Sequence, residues 1–301
     1  MGLPREEYIA SGHRACAGCG EILTIRHVLK ASGKNTIVVN ATGCAEVVTT
    51  PYPQTAWKIP WVHSAFENIA AVASGIDKGL ECRGIRDKIN LLAIGGDGAS
   101  FDIGFGSLSG AIERGHKFTY IATDNEAYMN TGIQRSGATP LFANTTTSPA
   151  GKKIHGKIEP KKPLPLIVAA HGVSYVATIS IADLPDLYAK VKKALKAEVV
   201  SFLHAFCPCV PGWKYPSSKT IEIAKKATAT GVFPLYEIEN GILKFTRKPA
   251  KLEPVNNYLK MQGRFKHLSQ SEIRQIQNYV KERYNFLLSV ENSKCFDTLF
   301  K

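Results

Sequence analysis

Two stretches decide how this chain folds: Ile89-Asn-Leu-Leu-Ala-Ile-Gly-Gly-Asp-Gly98 and, further on, Phe118-Thr-Tyr-Ile-Ala-Thr-Asp-Asn125. Each starts as a short continuous apolar run and ends in small or polar residues. Such runs suit strands buried on both faces, as parallel strands are. The pattern predicts strands over 89–95 and 118–123, with a helix over 105–114 between them. Strand, helix and strand in that order imply a crossover connection and a parallel sheet. Moving outward, the same reading predicts strands over 173–179 and 199–206, with an amphipathic helix over 184–196. Toward the N-terminus it predicts a helical pattern over 21–30, a strand over 36–39 and a small-residue helix over 64–75. In that last helix Ala65, Ala70, Ala71, Ala73 and Gly75 would allow close approach to a neighbour. The expected fold class is α/β, a three-layer doubly wound parallel sheet.

The ends of the two deciding strands carry chemistry. Glycine at Gly95, Gly96 and Gly98 lets the backbone come close to a phosphate. A carboxylate at Asp97 and an amide oxygen at Asn125 are hard ligands that suit Mg²⁺ on a diphosphate. A Gly-Asp-Gly turn paired with Asp-Asn at an equivalent strand end is more specific than either alone. The plain alternative is two ordinary strand-to-helix turns with a capping Asp.

Seven cysteines are present, an odd number: Cys16, Cys19, Cys44, Cys82, Cys207, Cys209 and Cys295. That argues against a disulfide framework and for reduced thiols. Cys16-Ala-Gly-Cys19-Gly is a C-x-x-C loop ahead of the first helical pattern. Cys44 follows the first strand, and Cys207-Pro-Cys209 follows the strand over 199–206. Cysteines beyond parallel strand ends sit where α/β proteins place ligands. Four such thiolates could bind zinc or an iron–sulfur cluster. A redox pair of Cys16 and Cys19 is a third option, which leaves Cys44 and Cys209 unexplained. Cys82 and Cys295 read as structural thiols.

Length and composition set outer bounds. The chain has 301 residues, 38 Lys and Arg against 25 Asp and Glu, and a formal net charge of +13. An anionic partner is compatible with that excess. The charge is dispersed in short runs at 152–153, 157–162, 190–196 and 225–226, which read as a solvated surface. Neither an arginine-rich arm nor a basic stretch with interleaved aromatics occurs, so no nucleic-acid partner is expected. No stretch approaches the ~20 apolar residues of a membrane span. The N-terminal residues lack an apolar signal core, which gives the expectation of a cytoplasmic protein with no membrane role. Residues 130–165 are rich in Thr, Ser, Gly, Pro and Lys without periodicity and read as a long functional or lid-like loop. The expected organisation is a cofactor-binding α/β domain over 1–215 and an extension over 216–301 wrapped on the core or on a partner. That extension contains a helix over 270–287.

Five segments then fall into one order: Cys16-Ala-Gly-Cys19-Gly-Glu21, Asn40-Ala-Thr-Gly-Cys44, Gly96-Asp-Gly-Ala-Ser-Phe-Asp-Ile-Gly104, Asp124-Asn-Glu-Ala-Tyr-Met-Asn130-Thr-Gly132 and Pro208-Cys209-Val-Pro-Gly-Trp213. The third and fourth resemble the thiamine-diphosphate motif. Together the five resemble the β subunit of 2-oxoacid:ferredoxin oxidoreductases of the pyruvate type, as does the tail segment Tyr258-Leu-Lys-Met-Gln-Gly-Arg-Phe-Lys-His-Leu268. The likeness spans roughly residues 8 to 287. It implies one 4Fe–4S cluster on Cys16, Cys19, Cys44 and Cys209, although Cys207 lies only two residues before Cys209. It also implies Mg²⁺ on Asp97, Asn125 and the carbonyl of Ala127, with thiamine diphosphate further bounded by Gly96, Gly98, Gly43, Glu21, Asn130 and Thr131. Glu21 would lie near the thiamine and Asn130 would face the reacting carbon.

The activity implied is oxidative decarboxylation of pyruvate with coenzyme A, electrons passing through the cluster to ferredoxin. The resemblance also implies partners: an α subunit that supplies the carboxylate for thiamine activation, with γ and ferredoxin-like δ subunits. His63, His171 and His204 are further acid–base candidates, or packed histidines. Glu67 and Asn68 are candidates to line the cofactor cavity. Three other readings compete: the same chemistry on a branched-chain 2-oxoacid, 2-oxoglutarate or oxalate; a zinc-stapled, non-redox thiamine-binding or regulatory subunit; and a nucleic-acid module.

Overall fold

The computed structural model describes residues 3–294 and residue 296. Cys295 therefore lies outside the described residues. In chain order, α1 (Gly20–Ser32) leads into β1 (Thr36–Ala41), α2 (Cys44–Thr49), β2 (Trp61–Ser64) and α3 (Ile69–Cys82). Next come β3 (Asn90–Gly95), α4 (Asp97–Phe101), α5 (Phe105–Glu113), β4 (Thr119–Asp124) and α6 (Leu164–Ala169). Then follow β5 (Tyr175–Ser180), α7 (Leu184–Ala194), β6 (Ser201–Phe206), α8 (Val210–Trp213) and α9 (Thr220–Ala229). The chain continues through β7 (Leu235–Glu239), β8 (Ile242–Arg247), α10 (Asn256–Leu259) and α11 (Gln270–Ser289).

The strands form one sheet in the order β2-β1-β3-β4-β6-β5-β7-β8. From β2 through β5 every pairing is parallel, while β7 runs antiparallel to β5 and β8 antiparallel to β7. Register explains why the runs are apolar throughout. Val39, Ala93, Tyr120, Phe202 and Val176 form one cross-strand row, and Asn40, Ile94, Ile121, Leu203 and Ala177 the next. The first row packs under α3, α5 and α6 through Ile69, Ala70, Ala73, Leu108, Ala111, Leu164 and Val168. The apolar members of the second pack under α1 and α7 through Ile22, Ile25, Val28, Leu29, Leu187 and Val191. With side chains alternating between faces at a period of two, both faces must be apolar when both are covered. The expected α/β architecture with helices on both sides of a mostly parallel sheet is the architecture found.

Several elements differ from expectation. The helix expected over 64–75 starts at Ile69 and runs to Cys82, because Trp61–Ser64 is an edge strand paired with β1. Ala70 and Ala73 face the core, whereas Ala65, Ala71 and Gly75 are exposed. The β7–β8 hairpin turns at Asn240-Gly241, both at positive φ, the conformation for which an Asn-Gly pair is suited. It joins residues beyond 215 to the same sheet. A third apolar cluster gathers α9, α10 and α11 around Phe206, Trp213 and Leu235. The α11 helix begins with a capping box in which Ser269 and Glu272 satisfy each other's backbone N–H groups.

The basic runs are not uniformly solvated. Lys157 is 2% exposed and Lys190 1% exposed, and the Lys161 side chain is largely buried. Each is compensated: Lys157 donates to the carbonyls of Glu159 and Pro160, Lys190 to Asp186, and Lys161 to Asp124 and Glu126. Buried cations need such partners, and a one-dimensional charge run does not reveal them. Residues 130–163 carry no helix or strand between β4 and α6, apart from isolated bridges. The segment closes on itself through the Phe142 N–H donating to the Lys157 carbonyl at 2.6 Å. It reaches the strand ends through Ser136 Oγ donating to Asp97 at 2.6 Å and Thr139 Oγ1 to the Glu126 carbonyl at 2.7 Å.

Candidate functional site

The site lies past the C-terminal ends of β1, β3, β4 and β6, where the chain leaves the sheet. Between β1 and β3 the strand order reverses direction, since β1 is followed outward by β2 and then by β3 on its other side. Such switch points open a crevice for ligands. Gly43 precedes α2 and Cys44 starts it; Gly96 precedes α4 and Asp97 starts it. Asn125 follows β4, Cys207 to Cys209 follow β6, and Cys19 immediately precedes α1.

One cavity of about 210 Å³ is lined by Cys16, Cys19, Cys44, Cys207 and Cys209 together with Glu21, Asn125 and Asn130. Burial pushes the Cys19 thiol up to about 12 and Cys209 up to about 11, and it raises Cys44 as well. Cys44 is raised further by Glu21, Cys209 and Cys19, so these groups feel one another across the cavity. Cys207 is fully buried and its Sγ donates to the Ala205 carbonyl at 3.4 Å and contacts Thr24 Oγ1 at 3.7 Å. The loops that carry the thiols meet closely. A Cβ at Gly20 would lie 2.6 Å from the Pro208 carbonyl oxygen, so only glycine fits where the Cys19 and Cys209 turns touch. Cys82 is exposed at the end of α3, away from this cavity.

Glu21 forms the cavity's inner wall and is 4% exposed. Thr123 Oγ1 donates to its Oε1 at 2.9 Å, and Asn125 Nδ2 donates to its Oε2 at 3.3 Å. Burial raises its carboxyl to about 7, with those two hydrogen bonds opposing. Asp97 accepts from Ser136 Oγ at 2.6 Å and from the Asn125 backbone N–H at 3.2 Å. Burial, then the charge of Asp124, holds the Asp97 carboxyl well above the usual range. The Asn125 Oδ1 is buried and has no hydrogen-bond partner.

Behind this turn lies a charged network. Burial would raise Asp124, but Lys161 and His204 hold it below the usual range, with His204 Nε2 at 2.6 Å. Glu126, at φ +69°, receives Lys161 at 2.9 Å and Arg264. Trp213 Nε1 donates to the Asn125 carbonyl at 2.8 Å, and the Arg264 guanidinium stacks 3.9 Å above the Trp213 ring. None of Ser136, Lys161, Trp213 and Arg264 stood out individually from sequence. The segment ending at Trp213 and the tail segment around Gly263-Arg264-Phe265 were the signals pointing toward Trp213 and Arg264.

The remaining candidates have separate places. Ala127 is buried beside the network, and a Cβ at Gly98 would touch the Tyr128 ring at 3.4 Å. Thr131 is exposed, its hydroxyl donating to Gln134 Oε1 at 2.6 Å. His63 is exposed on β2, 2.6 Å from Thr42 Oγ1, and His171 bonds Ser109 and the Ile167 carbonyl. Glu67 and Asn68 are exposed and do not line the thiol cavity.

A family model described as "Thiamine pyrophosphate enzyme, C-terminal TPP binding domain" matches residues 41–205. The pyruvate synthase subunit PorB of Methanocaldococcus jannaschii is 57% identical over 293 residues, covering 95% of this chain and 98% of its own. PorB of Thermotoga maritima is 46% identical, covering 95% and 93%. The ketoisovalerate oxidoreductase subunit VorB of Pyrococcus furiosus is 44% identical, covering 95% and 94%. Among solved structures, a 2-oxoglutarate:ferredoxin oxidoreductase from Magnetococcus marinus superposes with a TM-score of 0.56 at 21% identity, covering 72% of this chain and 79% of that one. At that identity the likeness is one of fold. With a cofactor-domain match over more than half its length and relatives this similar along nearly their whole chains, the protein belongs to the thiamine pyrophosphate enzymes and, within them, to the family of PorB and VorB subunits.

Proposed function

We propose that this chain is the β subunit of a 2-oxoacid:ferredoxin oxidoreductase acting on pyruvate and coenzyme A, and that it carries thiamine diphosphate, Mg²⁺ and one 4Fe–4S cluster. The observation that carries the reading is the single cavity onto which Cys16, Cys19, Cys44, Cys209, Glu21, Asn125 and Asn130 all open. When bound, thiamine diphosphate supplies the carbanion chemistry of decarboxylation and the cluster supplies one-electron transfer. Both would have to lie near each other, and Asn125, whose backbone N–H is bonded to Asp97, shares the cavity wall with the thiols.

The residues suit these groups. A buried amide oxygen with no partner costs about 1–3 kcal/mol, which a hard cation would offset. Asn125 Oδ1, the Asp97 carboxylate and the Ala127 carbonyl would hold Mg²⁺, with Ser136 orienting Asp97. A cation there would also draw down the raised Asp97 carboxyl. Gly96 and Gly98 leave backbone room for a diphosphate, and Gly43, Asn130 and Thr131 are the further cofactor contacts of this reading. Glu21 stands between the thiols and Asn125, held by Thr123, and can keep or release a proton at its carboxyl near neutral pH. Asn130, at the exposed rim, would hydrogen-bond the substrate; Asn130→Ala leaving turnover unchanged would remove it from that role. The four cysteines would bind iron as thiolates. Cys207, bonded to backbone in the core, would stand behind Cys209 as a packing residue.

The α subunit would provide the activating carboxylate, with γ and δ subunits completing a cytoplasmic complex that reduces ferredoxin. Among the described residues no helix is long and apolar enough to cross a membrane. The VorB relative supports a second substrate reading, a branched-chain 2-oxoacid. The test is anaerobic purification of the chain with its partner subunits and measurement of iron, sulfide, thiamine and zinc. Each 2-oxoacid is then supplied with coenzyme A and a low-potential dye. Iron with dye reduction by pyruvate supports the proposal, and reduction only by branched-chain acids moves the substrate. Zinc without iron, or thiamine without reduction, would sink the redox role.

A further inference from the structure

Arg264 reaches the site from the C-terminal extension, 138 positions from its partner Glu126. It is 2% exposed. Its Nη2 donates to Glu126 Oε2 and its Nε to Gln262 Oε1 at 2.9 Å. One face of the guanidinium lies 3.9 Å from the Trp213 ring, and the Phe265 ring is 4.8 Å away. Trp213 in turn has two tethers. Its indole N–H holds the Asn125 carbonyl at 2.8 Å, and its backbone N–H holds the Cys209 carbonyl at 2.9 Å. The adjoining Gly263 N–H donates to the Lys214 carbonyl at 3.1 Å, where a Cβ would lie 2.7 Å from Lys214 Cβ. The extension is thus pressed against the end of α8, and one planar cation bridges two turns that are far apart in sequence.

We propose that Arg264 is a positioning residue common to both halves of the site. By clamping Glu126 and Trp213 together it holds the turn bearing Asn125 and Ala127 at a fixed distance from the turn bearing Cys209. The inference rests on the cofactor assignment proposed above. Two physical properties of arginine are needed. One donor of the fork meets the Glu126 carboxylate and another the Gln262 amide oxygen while the flat face stacks on an aromatic ring, which a lysine ammonium cannot do at once. The fixed positive charge is held against Trp213, whose backbone N–H is bonded to the Cys209 carbonyl. Cluster potential depends on local charge, so the same side chain influences it.

The experiment uses the complex of this chain with its partner subunits, comparing wild type with Arg264→Met, Arg264→Lys and Trp213→Phe. Calorimetry gives the affinity for thiamine diphosphate at fixed Mg²⁺, and electron paramagnetic resonance with redox titration gives cluster potentials. The signal belonging to this chain is the one altered by Cys209→Ser. Arg264→Met should weaken cofactor binding about tenfold or more and move that potential to a more negative value. Arg264→Lys should keep the potential near wild type yet fail to restore the affinity. If Arg264→Met does not assemble, Trp213→Phe keeps the stacking ring but removes the N–H to Asn125, and should lower cofactor affinity about tenfold with the potential unchanged. Wild-type cofactor affinity in both Arg264→Lys and Trp213→Phe overturns the proposal, even where their melting temperatures fall. A wild-type complex that binds no thiamine diphosphate or no iron instead refutes the assignment on which it rests.

Discussion

Asn125 donates its side-chain N–H to Glu21 Oε2 at 3.3 Å across 104 positions of sequence, and its buried Oδ1 is left without a partner. A group in that state needs a cation or another donor. Mg²⁺ with thiamine diphosphate should therefore stabilise the protein; at a hundredfold excess over Kd the gain is about 2.7 kcal/mol. Asn125→Ala should abolish most of that gain. Thermal unfolding with and without the two ligands checks this, and an equal rise in the variant would disprove the ligand role.

Ser136 lies in the long irregular segment and donates to Asp97 Oδ2 at 2.6 Å. Groups that orient a metal ligand typically contribute about 10- to 100-fold in affinity. Ser136→Ala should weaken Mg²⁺-dependent thiamine diphosphate binding within that range, measured by calorimetry. Ser136→Thr, which keeps the hydroxyl, should lose less.

The Glu21 carboxyl, raised by burial from 4.5 to about 7, makes stability depend on pH. Between those values the folded chain keeps a proton that the unfolded chain has released, so stability falls as pH rises through this window. The loss is complete above about 7 and amounts to about 3 kcal/mol. In the cofactor-free chain Glu21→Gln should therefore gain on wild type between pH 4 and pH 8. Denaturant unfolding at the two pH values measures it; an unchanged difference would mean that Glu21 does not titrate there.

Cys207 and Cys209 both line the shared cavity, but Cys209 is partly exposed, whereas Cys207 is wholly buried and bonded to the Ala205 carbonyl. Cys209→Ser should strip iron and the absorbance near 400 nm from this chain, while Cys207→Ser should retain both. The reverse pattern would exchange their roles.

Gly20 lets the loop bearing Cys19 touch the turn bearing Cys209, since a Cβ there would stand 2.6 Å from the Pro208 carbonyl oxygen. Gly20→Ala must push two backbones apart, at about 1–3 kcal/mol. Iron content should fall with stability, because Cys19 and Cys209 separate. A stable variant with full iron would show that the contact is not needed for cluster assembly.

The parallel core was legible because both its faces are covered. Strands such as Leu91-Leu-Ala-Ile94 then carry no polar side chain to blur the signal. The β7–β8 hairpin had a readable Asn-Gly turn, yet its strand Leu235–Glu239 mixes acids with apolar residues and declares its partner β5 only in space. The helix start at Ile69 was hidden because Ser64 and Ala65 extend the small-residue pattern upstream into a turn and the end of an edge strand. Lys161 read as one more surface charge within a basic run. Its burial depends on Asp124 and Glu126, which lie at least 35 positions away.

By itself the order of residues determined the strand–helix alternation and which side chains end the strands: Asp97, Asn125, Cys44 and Cys209 among them. Those are local properties, set by hydrophobic period and by the turn chemistry of glycine and proline. Tertiary structure decided which of these ends meet. It brought Glu21 to Asn125, Ser136 to Asp97, and Arg264 to Glu126 and Trp213. Each contact joins groups on different elements, and its strength depends on the burial that the assembled sheet and loops create. No window along the chain contains that information, because hydrogen bonds and ion pairs in a dry interior are properties of proximity in space.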